Sequence, residues 1–335
     1  MSFLGEKNFS HKDQENIGIL ICNLGTPDSY SVKDVRAFLR EFLSDSRVIE
    51  IPKIVWWFIL NLFILTFRPF SSSKLYKSVW TDEGSPLMVY SKKLIDKLDE
   101  KLPETYKIAL GMRYGNPSIK TALKKLKDRN CRKILVLPLF PQYSATTSGS
   151  IFDKVSEEIR NWRWVPSLIF INSYHDDENF ISAISNSLRP KLESEKPDKV
   201  VFTYHGIPKN YFDQGDPYHC LCQKTTRLVC ENLKLEEKKS ITTFQSRLGN
   251  AEWLKPYTSE VMKSLPKEGC KNIMVIAPGF SVDCLETIEE IDEENKEYFL
   301  NSGGAKFTYV ECLNDTDLHV NFLKEFIEKK VSVWK

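Results

Sequence analysis

The sequence predicts an α/β chain of two doubly wound domains, each a four-stranded parallel sheet flanked by helices. Three observations carry that expectation. Short apolar runs recur along the 335 residues, and several are unbroken blocks, such as Ile134-Leu135-Val136-Leu137 and Ile273-Met274-Val275-Ile276. Continuous rather than alternating apolarity marks strands buried on both faces, as in parallel sheets. Stretches with helical periodicity separate these runs, which is the α/β alternation. The runs also fall into two sets of four, Ile17 to Tyr174 and Lys199 to Leu313. Each set contains an apolar strand ending in Pro before a hydroxyl-bearing turn, Leu137-Pro138-Leu139-Phe140-Pro141-Gln142-Tyr143-Ser144 and Ile276-Ala277-Pro278-Gly279-Phe280-Ser281, which suggests a pseudo-repeat.

In chain order the strands are expected at Ile17–Asn23, Tyr106–Tyr114, Lys133–Pro141, Ser167–Tyr174, Lys199–His205, Ser240–Gln245, Asn272–Ala277 and Lys306–Leu313. The helices between them are expected at Val32–Leu43, Ser91–Leu102, Ser118–Arg129, Asn179–Glu193, Cys220–Leu233, Ala251–Ser264 and Glu286–Asn301. A first domain is assigned to 1–175 and a second to 176–314. The C-terminal helix, within 315–335, can pack on either and is assigned to the first.

Bulk properties exclude several function classes. Forty-seven basic against 45 acidic residues leave a net charge of +2, so there is no electrostatic footprint for nucleic acid. No P-loop and no G-x-G-x-x-G occurs, so nucleotide-driven chemistry has no support. Met1 to Asn16 is polar and lacks the apolar core of a secretory signal. Eight cysteines without a regular framework fit a reducing cytosol. The greasiest segment, Ile54 to Phe67, is shorter than the roughly 20 apolar residues a membrane span needs. Two readings stay open for it: a buried core helix, or an apolar pocket lip, at about 52–70, that dips into a membrane interface between Lys53 and Arg68.

In open α/β sheets ligands sit beyond the carboxyl ends of the strands, so the strand-to-helix turns carry the candidates. Val200 to Tyr204 delivers His205 to such an end, and Gly206 and Pro208 force a turn there. A histidine so placed can accept a proton or ligate a metal, or serve as a structural hydrogen bonder. A second end carries Asp283, Glu286 and Glu290, at i, i+3 and i+7. A helix puts these on one face, where like charges repel without a proton or cation to handle. The outer acids Glu289, Asp292, Glu293 and Glu294 read as a solvated face. At a third turn Arg113 can clamp a carboxylate and Tyr114 can stack on a flat ring. The hydroxyl-rich stretch Pro141 to Ser150 can cap a helix or hold an anion at its N-terminus. Cys220, Cys222 and Cys230 beside His219 lack a standard zinc spacing, so incidental thiols on a helix are the better reading.

These motifs resemble the ferrochelatases. The likeness rests on Thr203-Tyr204-His205-Gly206-Ile207-Pro208 followed by Gln214-Gly215-Asp216-Pro217-Tyr218, on Asn23-Leu24-Gly25-Thr26-Pro27, Gly84-Ser85-Pro86-Leu87, Phe140-Pro141-Gln142-Tyr143-Ser144 and Phe244-Gln245-Ser246-Arg247. It is most specific in Pro278-Gly279-Phe280 leading into Asp283-Cys284-Leu285-Glu286-Thr287-Ile288-Glu289-Glu290. The resemblance implies two Rossmann-like domains of the chelatase type, with a porphyrin in a cleft between them. It implies insertion of ferrous iron into protoporphyrin IX, with release of two protons, as the last step of haem synthesis. His205 and Glu286 are then the catalytic and iron-handling pair, with the division of roles open. Asp283 and Glu290 extend an acidic path. Tyr143, Arg113 and Ser85 correspond to porphyrin-pocket positions, and Leu24 and Trp253 to apolar walls. The family likeness favours the lip reading of 52–70, with peripheral contact at the inner face of a cytoplasmic membrane.

Some ferrochelatases carry a [2Fe–2S] cluster on C-terminal cysteines. No cysteine follows Cys312 here, so no such cluster is expected, and an internal one at Cys220, Cys222 and Cys230 is a minor alternative. No cofactor is expected beyond the substrate Fe²⁺. The rivals are a chelatase for another tetrapyrrole, such as coproporphyrin III with iron or a cobalt chelatase, and a non-catalytic haem or porphyrin carrier. A carrier needs neither His205 nor the acidic row.

Overall fold

The computed structural model describes residues 3–5, 10, 12, 14–247, 249 and 251–334. The chain divides into two compact units, one of Met1–Leu139, Ala145–Asn172 and Leu323–Lys335, the other of Phe140–Ser144 and Ser173–Phe322. The division falls inside the last helix, Asp317–Val331, between Phe322 and Leu323.

The first unit is built on β1 (Asn16–Thr26), β2 (Tyr106–Gly115), β3 (Cys131–Pro138) and β4 (Ser167–Phe170), in the order β2-β1-β3-β4. The second is built on β5 (Lys199–His205), β6 (Ser240–Gln245), β7 (Asn272–Ile276) and β8 (Lys306–Val310), in the order β6-β5-β7-β8. All neighbouring strands are parallel. The unbroken apolar blocks are the central strands: Ile19, Leu20 and Ile21 of β1, Ile134 to Leu137 of β3, and Val201 and Phe202 of β5 are all 0% exposed. The two sheets share one strand order, which is the architecture behind the repeated Pro-turn motif. In each sheet the chain reverses its direction of travel beside the first strand, and such a switch point opens a crevice at the carboxyl ends. In the second unit it lies between β5 and β7.

Three helices differ from expectation. The segment 251–264 is helical only over Thr258–Ser264. The preceding residues run instead beside the turn after β5: Leu254 N–H donates to Ile207 C=O (3.0 Å) and Lys209 N–H to Glu252 C=O (2.8 Å). The helix expected at Ser91 starts earlier, as Pro86–Lys101, because Ser85 accepts from Met88 N–H (3.4 Å) and Pro86 fits the first turn. The acidic segment is one α-turn, Leu285–Thr287, then a π-helix, Ile288–Asn295, then α-helix again at Lys296–Asn301.

The greasy segment is neither short nor buried. It begins a continuous helical run, Lys53–Val79, of 27 residues, which by length and composition suffices to cross a membrane. A narrow stripe (Leu60, Leu65, Pro69, Tyr76, Val79) faces its own unit, while Ile54, Trp57, Leu62, Phe63, Phe67 and Phe70 are more than half exposed. Fixed attachments hold the stripe. Trp56 Nε1 donates to Leu43 C=O (2.6 Å). Pro69 removes the donor that would serve Leu65 C=O, and Arg36 Nε supplies one (2.9 Å).

Candidate functional site

In the second unit the crevice between β5 and β7 receives His205 from one side and the acidic segment from the other. His205 pairs with Gln245 at the end of the β5–β6 ladder. Its Nδ1 lies 2.6 Å from Gly206 C=O. A carbonyl only accepts, so Nδ1 carries the hydrogen in the neutral ring and Nε2 keeps the free lone pair. The ring is flanked by Trp253, with centroids 6.4 Å apart and planes at 54°. Gly206 makes that approach possible, since a Cβ there would stand 2.9 Å from Gln245 C=O and 3.1 Å from the Trp253 ring.

Glu290 faces the same end. Its Oε1 accepts from Ser246 N–H (2.7 Å), and its Oε2 accepts from the Ser246 hydroxyl. Ser246 takes the left-handed conformation, φ 64°, which is uncommon outside Gly, and the two bonds to Glu290 hold it there. Burial pushes the Glu290 carboxyl above its ordinary value, and the charge of Glu286 adds to that. Ser246 and the nearby His205 ring pull the other way without reversing it. Glu289 is raised too, first by burial and then by Glu294, Glu290, Glu293 and Glu286.

Glu286 stands in the single α-turn, partly exposed, with its backbone fastened by Gln245 Nε2 to Glu286 C=O (3.0 Å). Gln245 also accepts from Thr203 of β5 (2.9 Å), so one side chain ties the acidic turn to the strand that bears His205. The thiol of Cys284 is held protonated, first by burial and then by the charge and hydrogen bonding of Glu286. The π-helix widens the turn to i→i+5 bonding, and Asn295 Nδ2 takes up Glu290 C=O (2.6 Å).

Asp283 does not share a helical face with the two glutamates, contrary to the spacing argument. It precedes the helix and is 3% exposed. Its Oδ1 accepts from Tyr309 Oη (2.6 Å), Thr287 Oγ1 (2.9 Å) and Cys312 N–H (3.5 Å), and its Oδ2 from Asn314 Nδ2 (2.6 Å). Tyr143 is partly exposed. It sits between Gln142, which donates to Thr225 (3.0 Å), and Ser144, which donates to Asp216 (2.9 Å).

Among the described residues no three of His, Cys, Asp and Glu gather as a ready metal site. Cys220 is exposed, and Cys222 and Cys230 are buried beside Tyr218 and Ser240 respectively. His219 stacks on Phe244, with ring centroids 5.4 Å apart.

In the first unit the structure corrects one reading. Tyr114 offers no face for stacking. It is 0% exposed, packed against Phe42 and Phe38, and its hydroxyl donates to Asp45 (2.8 Å). Arg113 is committed in the same cluster, to Asp45 (2.5 Å) and Ser150 Oγ (2.6 Å), which leaves it little to offer a ligand carboxylate. Asp45 drew no notice in the sequence, because nothing local marks a partner 68 residues away. These partners lower its carboxyl, although burial opposes them. Ser85 is 4% exposed and occupied as a helix cap, and Leu24 is partly exposed near the end of β1.

Comparison with known proteins bears on the family and the fold. A family model described as ferrochelatase matches residues 16–331. The chain is 46% identical to a ferrochelatase of Pseudoalteromonas atlantica, covering all of this chain and 94% of that one. It is 47% identical to a ferrochelatase of Thioalkalivibrio sulfidiphilus, covering all of this chain and 92% of that one. Among solved structures, SirB from Bacillus subtilis with Fe³⁺ superposes with a TM-score of 0.53 at 12% identity, over 96% of this chain and 98% of that one. The sirohydrochlorin chelatase SirB of subspecies spizizenii, in complex with cobalt, gives 0.55 at 12% identity, over 93% and 94%. At that identity the likeness concerns the fold alone, two parallel sheets of chelatase type. With a family model spanning nearly the whole sequence and full-length relatives at this identity, the chain belongs to the ferrochelatase family.

Proposed function

We propose that this protein inserts Fe²⁺ into protoporphyrin IX and releases two protons, giving protohaem. The observation that carries the chemistry is His205 at one side of the β5/β7 switch point, tautomer-fixed by Gly206, with Glu290 and Glu286 on the other side. Two pyrrole N–H bonds must break before the metal can sit in the ring. His205 Nε2 holds a lone pair for one such proton and becomes the imidazolium. Its charge then favours ionised Glu290. The second pyrrole proton goes to Glu286. Glu289 and its acidic neighbours continue the route outward. The same carboxylates offer hard oxygen to Fe²⁺, as suits a cation that is passed on. Trp253 and Tyr143 supply apolar surface beside them. The exposed face of Lys53–Val79 rests on a cytoplasmic membrane surface, from which an apolar porphyrin is delivered.

The test is anaerobic mixing of purified protein with protoporphyrin and Fe²⁺, or Zn²⁺ as a surrogate, following the porphyrin Q bands. Wild type converts them to the metalloporphyrin pattern. His205→Ala loses on the order of 10²–10⁴-fold in kcat, the range of one general base, and still binds porphyrin. An unreactive wild type, or full activity in the variant, sinks the reading. Faster turnover of coproporphyrin III than of protoporphyrin reassigns the substrate.

A further inference from the structure

We propose that Asp283 is a positioning residue for Glu286: it locks the turn after β7 onto the end of β8 and thereby fixes where the catalytic carboxylate stands. This rests on the ferrochelatase reading of the site. The geometry separates Asp283 from a proton or iron relay. Its four donors, Tyr309 Oη, Thr287 Oγ1, Cys312 N–H and Asn314 Nδ2, close around a carboxylate that is 3% exposed. Three of them come from β8 or the loop after it, and Thr287 closes the turn that carries Glu286. Thr287 in turn accepts from Cys284 N–H (2.9 Å), which sets the first turn of the helix. Asn314, at φ 48°, has its C=O against His319 Nδ1 (2.6 Å). The network is thus a rigid bracket in which every member has its place.

The bracket also dictates which substitution breaks it. Asn314 donates from Nδ2 to Asp283 Oδ2 (2.6 Å), and its Oδ1 accepts from the Asp283 N–H (2.8 Å). Its amide therefore cannot flip. Asp283→Asn keeps the side-chain oxygen for Tyr309 and Thr287 and turns an NH₂ against the Asn314 NH₂, donor against donor. Exchanging the two side chains, Asp283→Asn with Asn314→Asp, restores an acceptor opposite every donor.

The experiment compares wild type, Asp283→Asn and the exchange variant for zinc and iron insertion into protoporphyrin, together with amide hydrogen exchange over Leu285–Asn295. Asp283→Asn should lose about 10–100-fold in kcat, the scale of a misplaced reacting group, with the porphyrin KM within about 2-fold. Amide exchange over that segment should rise. The exchange variant should recover to within about 3-fold of wild type and restore the exchange pattern. Tyr309→Phe removes one donor without creating a clash and should lose about 3- to 10-fold in kcat alone, which serves if Asp283→Asn does not fold. An unaltered kcat in Asp283→Asn or Tyr309→Phe overturns the proposal. So does an exchange variant as impaired as the single, or a loss confined to the porphyrin KM. Amide exchange needs no turnover: its failure to rise in a folded Asp283→Asn overturns the positioning role even if wild type inserts no metal, whereas an inert wild type counts against the ferrochelatase reading.

Discussion

Replacing two exposed aromatics of the lip, Phe63→Ser with Phe67→Ser, should release the protein from membranes without unfolding it. The two side chains are 61% and 69% exposed. Fully burying a Phe is worth about 2 kcal/mol, so moving these exposed portions from water into the acyl boundary contributes about 2–3 kcal/mol. That corresponds to a roughly 30- to 150-fold weaker partition coefficient in the double variant. The buried stripe of the same helix, including Leu60 and Leu65, is untouched, so the melting temperature should stay within about 2 °C. Co-sedimentation with vesicles carrying about a third anionic lipid is the assay, since Lys53 and Arg68 add about 1 kcal/mol each near such a surface. Wild type should pellet with the vesicles, and the variant should remain largely in solution. Equal partitioning of both proteins, or a wild type that ignores millimolar lipid, refutes the reasoning.

Two further outcomes follow from the site and the sheet. Burial raises the carboxyl of Glu290, so the native state favours its neutral form. That advantage is complete below its ordinary value of 4.5 and is lost as pH rises through the raised one, so Glu290→Gln should gain stability relative to wild type between pH 4 and pH 8 while slowing metal insertion. Urea midpoints at several pH values decide it, and parallel curves for the two proteins contradict it. Gly25 has φ +110°, and a Cβ there would lie 1.8 Å from Tyr114 C=O across the β1–β2 ladder. Gly25→Ala should therefore cost at least about 3 kcal/mol, and a urea midpoint matching wild type would exclude that clash.

The sheets were legible because parallel strands need apolar residues on both faces, which leaves short, partly β-branched blocks such as Ile134 to Leu137 between helical patterns. The place of His205 at a strand end was legible for a related reason, since such a block ends at that polar residue. Other features left no local mark. The residues of a π-turn are ordinary helix formers, so Asp283, Glu286 and Glu290 read as a plain α-helical row although the first lies outside the helix. Trp253 was read inside a helix because 251–264 has enough apolar residues for one, yet its segment is pinned by backbone bonds to residues some 45 positions earlier. The residues of 52–70 left core helix and lip both open because hydropathy records composition and not which face has a neighbour. Arg113 and Tyr114 pointed to a ligand in the sequence because the partner that occupies both, Asp45, is remote in the chain.

The π-helix at Ile288–Asn295 also bears on how the family can vary. Each of its turns accommodates one residue more than an α-turn, so the segment stores length that the ends of the helix do not need. Deleting a single residue between Thr287 and Asn295 would use up that surplus and let the turns tighten to α-helix, with Lys296–Asn301 keeping its place. Glu290, on the widened turns, would then lose the position in which Ser246 holds it. The chain can change almost any side chain on the outer face here, but its residue count is constrained. Among relatives, gaps should be scarcer across this helix than across loops of similar exposure.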